Sequence, residues 1–94
     1  MNVKERVFNM YIGIVGDLSY ELYAIGKTKK ECKENLRKAF DDYLKGYDYA
    51  DLSEFCDEHD IDLEEYGNDV FIMLEEYYGL NIFDVTKGYA LGWE

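Results

Sequence analysis

The stretch TKKECKENLRKAFDDYLKG, residues 28–46, decides the fold of this chain. Its apolar residues follow the spacing of one face of an α-helix. These residues are Cys32, Leu36, Ala39, Phe40 and Tyr43. Thr28 and Glu31 form a T-x-x-E capping box, which is typical of a helix N-terminus. The pattern therefore predicts an amphipathic helix over residues 29–45, which Gly46 ends.

Two strands are predicted before this helix. Residues 7–15, VFNMYIGIV, are rich in β-branched and aromatic side chains, which favour a strand. Gly16 and Asp17 form a turn signal, and residues 19–25 then return with apolar side chains on alternate positions. We therefore expect a β-hairpin that leads directly into the helix.

The segment after the helix carries two further capping boxes, Asp51 with Glu54 and Asp62 with Glu65. The first predicts a short helix. The second predicts a longer helical segment that reaches residue 78. The Gly-Asn pair at residues 67–68 interrupts that segment, because glycine disfavours a helix interior and asparagine can cap a new start.

The C-terminal part of the chain predicts a second hairpin. Residues 80–85 and 89–93 flank the connection Thr86-Lys87-Gly88, which has glycine where a positive φ is usual. The predicted order is ββαααββ in a single domain, residues 1–94. We expect an α+β fold with a four-stranded antiparallel sheet and the helices packed on one face.

Composition places this chain among folded domains. It has 94 residues, of which 48% are hydrophobic and 17% aromatic, well above a disordered acidic chain. No apolar run approaches the roughly 20 residues of a membrane span, and the N-terminus lacks the features of a signal peptide. We therefore expect no contact with a membrane and a cytoplasmic location in a bacterial host cell.

The two cysteines, Cys32 and Cys56, lie on the apolar faces of predicted helices. Free cysteine on such a face behaves as a small hydrophobic residue, so we expect reduced, buried thiols. A disulfide between them is the alternative, and their number and spacing provide no zinc site.

Charge is distributed very unevenly along the chain. The net charge is −11, but residues 27–38 contain six basic and two acidic residues, a local balance of +4. Residues 41–84 contain fifteen acidic residues and one lysine, a local balance of −14. For comparison, roughly 30 Å of duplex DNA carries about 18 phosphate charges.

This acidic density predicts a surface that imitates nucleic acid and binds a basic protein. Self-repulsion among so many carboxylates lowers stability, which favours a use for them. The alternative is an ordinary solvated surface that aids solubility. The carboxylates that we expect to contact a partner are Asp48, Asp51, Glu54, Asp57, Glu58, Asp60, Asp62, Glu64, Glu65 and Asp69. Direct binding of nucleic acid is disfavoured by the same charge.

Tyr47 and Tyr49 complete the predicted partner-binding site. They flank Asp48 in a short connection between two helices. Tyrosine beside carboxylate is typical of protein interfaces, since the ring supplies contact area and the hydroxyl a hydrogen bond. The alternative is that these rings cover the core.

Catalytic and cofactor motifs are not found in the sequence. His59 is the only histidine and is flanked by acidic residues, a pattern that could bind a divalent metal or act as acid and base. It is also in phase with Phe55 and Cys56, which favours a partly buried residue at the end of a helix. The segment lacks the order of an EF-hand loop, and no glycine pair precedes a G-K-S/T sequence. We therefore expect no enzyme activity, no catalytic residues, no metal site and no cofactor.

Residues 20–44, YELYAIGKTKKECKENLRKAFDDYL, resemble the hairpin and helix of HicB-type antitoxins. That family typically has T-x-x-E-A-x-E-N-x-x-x-A-x-x-x-x-L, and the corresponding residues here are Thr28, Glu31, Cys32, Glu34, Asn35, Ala39 and Leu44. The resemblance covers about a quarter of the chain. It implies a protein that neutralises a small toxin.

The overall profile also resembles small, acidic, tyrosine-rich proteins of phages and mobile elements that inhibit restriction or CRISPR defences. This resemblance lies in size and composition alone. Together with the charge pattern, it predicts a non-catalytic inhibitor that binds a basic, nucleic-acid-binding effector. The alternatives are a HicB-like antitoxin and a small phage structural or assembly protein that self-associates. We expect a monomer or a homodimer.

Overall fold

The computed structural model describes residues 9–89, which adopt an α+β fold. The chain forms two strands, three helices with a short 3₁₀ turn before the last, and a final strand. In order these are β1 (Tyr11–Val15), β2 (Leu22–Gly26), α1 (Lys29–Gly46), α2 (Leu52–Glu58), the 3₁₀ turn (Leu63–Tyr66), α3 (Val70–Tyr78) and β3 (Leu80–Asp84). The prediction of an α+β fold with three helices is therefore confirmed.

The sheet has three strands in the order β2-β1-β3, and both pairings are antiparallel. The prediction of four strands is wrong for the described residues. Residues 86–88 form the expected turn, in which the Gly88 N–H donates to the Val85 carbonyl over 2.8 Å and Gly88 has a φ of 93°. The predicted fourth strand, residues 89–93, lies outside the described residues except for Tyr89, which is not in a strand.

Helix α1 forms as its sequence predicts. The Glu31 N–H donates to the Thr28 side chain over 3.0 Å, and the Glu31 carboxylate accepts from the Lys27 N–H over 2.7 Å. The helix includes Gly46, and Asp48 follows with a φ of 61°. Aspartate tolerates this left-handed conformation better than most residues, so Asp48 and not Gly46 turns the chain away from α1.

Helix α1 covers the inner face of the sheet. Val15, Leu22 and Leu80 lie on this face in register and are buried. Leu36 and Phe40 of α1 are fully buried in the same core cluster. Complete burial of such side chains contributes about 1.5–3 kcal/mol each, so this contact between helix and sheet stabilises the fold substantially.

Gly26 allows α1 to approach the sheet closely. A Cβ atom at this position would lie only 2.4 Å from the backbone nitrogen of Cys32, a distance that would force the backbone to shift. A Cβ atom at Gly13 on β1 would likewise lie 3.0 Å from the Cys32 sulfur, so this glycine leaves room for the cysteine side chain. The two glycines therefore fix how the hairpin packs under the first turns of α1.

The opposite face of the sheet is apolar but lies outside the core cluster. We call it the open face, and by strand alternation it comprises Met10, Ile12, Ile14, Tyr23, Ile25, Asn81, Phe83 and Val85. Tyr23 is 60% exposed and Ile25 is 57% exposed. No helix within residues 9–89 packs on this face.

The predicted interruption of the last helical segment is present, with a different cap. Gly67 and Asn68 both adopt positive φ, of 66° and 58°, and separate the 3₁₀ turn from α3. Asp69, not Asn68, caps α3 by accepting from the Phe71 N–H over 2.9 Å. Gly79 ends α3 in the left-handed conformation, as the sequence predicts.

Candidate protein-binding surface

Residues 48–69, which we call the acidic region, contain ten carboxylates and no lysine or arginine. They form the connection after α1, helix α2 and the 3₁₀ turn. Nine of the ten carboxylate residues are exposed, and Asp69 is half-buried. Within residues 9–89 the one ion pair joins Arg37 to Asp41 over 3.0 Å, so no described cation is paired with this region.

Four of these carboxylates accept hydrogen bonds from backbone N–H groups and thereby start helices. Asp51 accepts from the Glu54 N–H over 3.0 Å, and the Glu54 carboxylate accepts from the Ala50 N–H over 3.3 Å. Asp62 and Asp69 cap the 3₁₀ turn and α3 in the same way. These four side chains therefore have a local structural role beside any role in binding.

Glu58 and Tyr49 form a pair that also belongs to the fold. The Tyr49 hydroxyl donates to the Glu58 carboxylate, and this bond raises the pKa of Tyr49 to about 12. The Tyr49 ring is half-buried and packs edge-on against Phe55 at 5.4 Å between centroids. Tyr49 is one of the two tyrosines predicted to contact a partner, and its contacts join α2 to the end of α1.

The remaining five carboxylates make no side-chain hydrogen bond to another described residue. They are Asp48, Asp57, Asp60, Glu64 and Glu65, and all are exposed. Asp57 lies in the last turn of α2, where no basic residue balances it. A negative charge there opposes the helix dipole, so local structure gives no reason for it. These five are the carboxylates most available to a partner.

An open hollow of about 860 Å³ lies within the acidic region. Arg37 of α1 is the one basic residue on its wall, and its guanidinium already pairs with Asp41. The carboxylate residues that line the hollow are Asp51, Asp57, Asp60, Asp62 and Glu64. The structure thus brings half of the predicted carboxylates around one concave surface.

Tyr47 lies in a tyrosine cluster that the sequence does not predict, formed with the half-exposed Tyr20 and the buried Tyr43. Its ring centroid is 4.9 Å from that of Tyr43 and 6.3 Å from that of Tyr20. The Ser19 hydroxyl lies 2.6 Å from the Tyr47 hydroxyl and 2.9 Å from that of Tyr43. Tyr20 and Tyr47 are each about half exposed, at 51% and 49%.

This cluster also explains why β2 begins at Leu22 and not at residue 19. Ser19 and Tyr20 contact the end of α1, which takes them out of the predicted strand. A serine–tyrosine pair beside a turn is a weak signal for such a contact, since the tyrosines that it meets lie more than twenty residues away in the sequence.

His59 is placed at the end of α2, as predicted, but its side chain is exposed. Its ring stacks on Phe55 at 4.3 Å, and its Nδ1 lies 2.9 Å from the Phe55 carbonyl oxygen. Within residues 9–89, no three histidine, cysteine or acidic side chains converge closely enough to hold a metal ion.

Both cysteines are free and buried, as expected. Burial raises the pKa of the Cys32 and Cys56 thiols, which keeps them protonated and poorly nucleophilic. The Cys32 thiol donates a weak hydrogen bond to the Ala24 carbonyl over 3.7 Å. The two side chains therefore act as core residues.

Basic residues of α1 form a separate small patch. The Lys33 ammonium lies 5.5 Å from the centre of the Phe71 ring, a distance suited to a cation–π contact. Lys29, Lys30 and Lys33 surround this ring on a surface distinct from the acidic hollow.

No helix within residues 9–89 is both long and apolar enough to cross a bilayer. Comparison with protein-family models, with curated proteins and with solved structures finds no match to this chain.

Proposed function

We propose that this chain is a non-catalytic inhibitor that imitates nucleic acid and occupies the nucleic-acid-binding groove of a basic defence protein. The observation that carries the proposal is the acidic region. Over residues 48–69 it presents ten carboxylates and no cation, and no described cation is paired with it. The five carboxylates that make no side-chain hydrogen bond to a described residue add no stability, because like charges repel one another.

The available carboxylates take the place of phosphate groups in this proposal. Lysine and arginine side chains of the partner form charge-assisted hydrogen bonds to Asp57, Asp60 and Glu64 around the hollow. The hollow, about 860 Å³, is large enough for several such side chains to enter. Complementary charge also speeds association and disfavours partners that are not basic.

The tyrosine cluster supplies an anchor of different chemistry. Tyr47 is half exposed and directly precedes Asp48, the first carboxylate of the acidic region. Tyrosine is enriched among residues that contribute most to binding, because its ring excludes water while its hydroxyl keeps a partner. Tyr20 and Tyr47 therefore add affinity that salt does not remove.

The experiment begins with capture of a partner. The chain is immobilised, bacterial lysate is passed over it, and bound protein is eluted with rising salt or with duplex DNA. The proposal expects a nuclease or another nucleic-acid-binding protein, released by salt and displaced by DNA. The purified partner is then tested for DNA cleavage or DNA binding with and without the chain.

Two variants with the same change in charge make this experiment specific. The first, Asp57→Asn, Asp60→Asn, Glu64→Gln and Glu65→Gln, neutralises available carboxylates and leaves every helix cap intact. We expect the partner's affinity to fall by about 30-fold to about 1,000-fold, at roughly 0.5–1 kcal/mol for each exposed pair.

The control variant removes four charges elsewhere, by Glu34→Gln, Asp42→Asn, Glu75→Gln and Glu76→Gln, all at exposed positions. It should retain binding to within a fewfold. Equal loss in both variants would show that only net charge matters and would contradict a site in the acidic region. Recovery of a small toxin, unaffected by salt, would replace the proposal with the antitoxin alternative.

A further inference from the structure

The open face of the sheet is a second exposed surface that the proposed inhibition does not use. Seven of its eight residues are apolar and none carries a charge, and the same alternation on β2 places the charged Glu21 and Lys27 at its two ends. Ile12 pairs with Ile25 and Phe83 across the sheet, and Ile14 pairs with Tyr23 and Asn81. This is a continuous apolar stripe across all three strands, which monomeric proteins rarely leave exposed without a use.

The inner face of the same strands already supplies the core. Val15, Leu22 and Ala24 are buried against the helices, whereas Tyr23 and Ile25, which alternate with them on β2, are more than half exposed. An antiparallel sheet with one solvated face usually alternates apolar with polar residues. Apolar residues on both faces of β2 therefore indicate a second layer.

We propose that the open face binds a second copy of this chain, so that two sheets pack face to face in a symmetric dimer. Facing sheets pack about 10 Å apart with interdigitated side chains. A two-fold axis brings the same patch of each copy together, which a self-complementary apolar surface permits. The proposal is independent of the proposed inhibition.

Complementary charges at the two ends of β2 favour a second copy over a different partner. Each copy carries a net charge of −11, so two copies can approach closely only through an uncharged surface, and the open face is one. Glu21 and Lys27 lie at the two ends of β2 and continue its alternation beyond the open face. If the two-fold axis runs across the strands, β2 lies antiparallel over its copy, and Glu21 of each chain faces Lys27 of the other.

Tyr23 fits this arrangement. Its hydroxyl donates to the Glu21 carboxylate within the same chain, so the polar tip of the side chain already has a partner. The exposed ring is then free to pack against apolar side chains without leaving a buried hydroxyl unsatisfied.

The size of the face sets the expected strength of association. Three strands of five residues cover roughly 14 Å by 17 Å, from the usual spacings of a sheet. This footprint, roughly 240 Å², is well below the roughly 800 Å² that standard-size interfaces bury on each partner. We therefore expect a weak dimer that dissociates in the range of about 100 µM to about 1 mM.

Sedimentation equilibrium from about 10 µM to about 1 mM tests this proposal. We expect the average mass to rise from 11.1 kDa toward twice that value as concentration increases. Repulsion between two copies of net charge −11 outweighs the two exposed pairs of Glu21 and Lys27 at the edge of the interface, so raising salt from about 50 mM to about 500 mM should tighten dimerisation by about threefold.

A matched pair of variants locates the interface. Ile25→Lys places a charge on the open face. Ile72→Lys places a charge on α3, at an apolar side chain that is 43% exposed. We expect Ile25→Lys to weaken dimerisation at least thirtyfold and Ile72→Lys to leave it unchanged. Tyr23→Lys repeats the first substitution at the most exposed position of the face, in case Ile25→Lys impairs folding.

A chain that remains at 11.1 kDa up to about 1 mM in high salt would overturn the proposal. Its open face would then be covered by another polypeptide or left in water. A dimer that survives both Ile25→Lys and Tyr23→Lys, or one that Ile72→Lys disrupts equally, would place the interface elsewhere and overturn it as well.

Discussion

The acidic region and the open face are both exposed, yet they have opposite chemistry. The acidic region has ten carboxylates within residues 48–69, and five of them make no side-chain hydrogen bond to a described residue. The open face has no charged residue, and its backbone is fixed by the ladders of the sheet. Salt should therefore weaken contacts of the first surface and strengthen those of the second.

Folding uses only some of the residues on these two surfaces. Leu36 and Phe40 of α1, together with the inner face of the sheet, form the core without any residue of the open face. Four of the ten carboxylates of the acidic region cap helices. Each surface thus contains residues beyond those that folding uses, and this excess is the basis for assigning each a partner.

The largest expected effect separates the two faces of the sheet. Leu36→Ala removes a fully buried side chain that packs on the inner face, and it should lower the free energy of unfolding by about 2–5 kcal/mol. Ile25→Thr keeps a β-branched residue on the open face, and it should cost less than about 0.5 kcal/mol in the monomer. Urea denaturation at low protein concentration measures both.

A loss above about 2 kcal/mol for Ile25→Thr would mean that the open face belongs to the core of a single chain. The open face would then not be a surface that folding leaves unused. It would also remove the reason to assign that face to a second copy.

A smaller effect divides the acidic region itself. Asp51→Ala removes the cap of α2 and should lower the free energy of unfolding by about 1 kcal/mol. Asp57→Ala removes a charge that opposes the helix dipole, and it should leave stability unchanged or raise it by about 0.3 kcal/mol. Thermal or urea denaturation of the two variants distinguishes them.

If Asp57→Ala destabilised the chain as much as Asp51→Ala, the carboxylate of Asp57 would have a structural role. Folding would then explain six of the ten carboxylates of the acidic region and leave four available to a partner. That result would remove Asp57 from the residues available to a partner.

The smallest effect concerns the pair of Tyr49 and Glu58. The hydrogen bond to Glu58 raises the pKa of Tyr49 from 10.0 to about 12 in the folded chain. Because the folded pKa lies above the unfolded one, the stabilisation is complete below about pH 10 and is lost as pH rises toward about 12. Wild type should therefore lose stability relative to Tyr49→Phe between those pH values.

The difference in tyrosinate absorbance between wild type and Tyr49→Phe during an alkaline titration checks the same pair, because it isolates Tyr49 among the ten tyrosines of the chain. Glu58→Gln should lower the pKa of Tyr49 toward 10, since it removes the negative acceptor. An unchanged titration would show that Glu58 does not hold the hydroxyl and that Tyr49 is free to contact a partner.

Local sequence signals predicted the helices of this chain well. The capping boxes at Thr28 and Asp51 and the left-handed Gly79 are contacts within a few residues, so spacing alone reveals them. The shift of the α3 cap from Asn68 to Asp69 is an error of one residue, because both side chains can accept the same backbone bonds.

Contacts between distant residues were not predictable in the same way. The central position of β1 and its pairing with β3 depend on how α3 returns the chain, which no local pattern encodes. The meeting of Ser19 and Tyr20 with Tyr43 and Tyr47 likewise arises only once α1 lies over the hairpin. The structure was also needed to tell which carboxylates cap a helix and which remain available to a partner.

The most direct test of the proposed function is the salt dependence of binding to the captured partner. The dissociation constant of the wild-type chain is measured by titration calorimetry between about 50 mM and about 500 mM salt, beside the two charge variants. The proposed function predicts a steep rise for wild type and for the control variant, and a much flatter one when Asp57, Asp60, Glu64 and Glu65 are neutral. A dissociation constant that does not change with salt, or the same slope in all three chains, would contradict it.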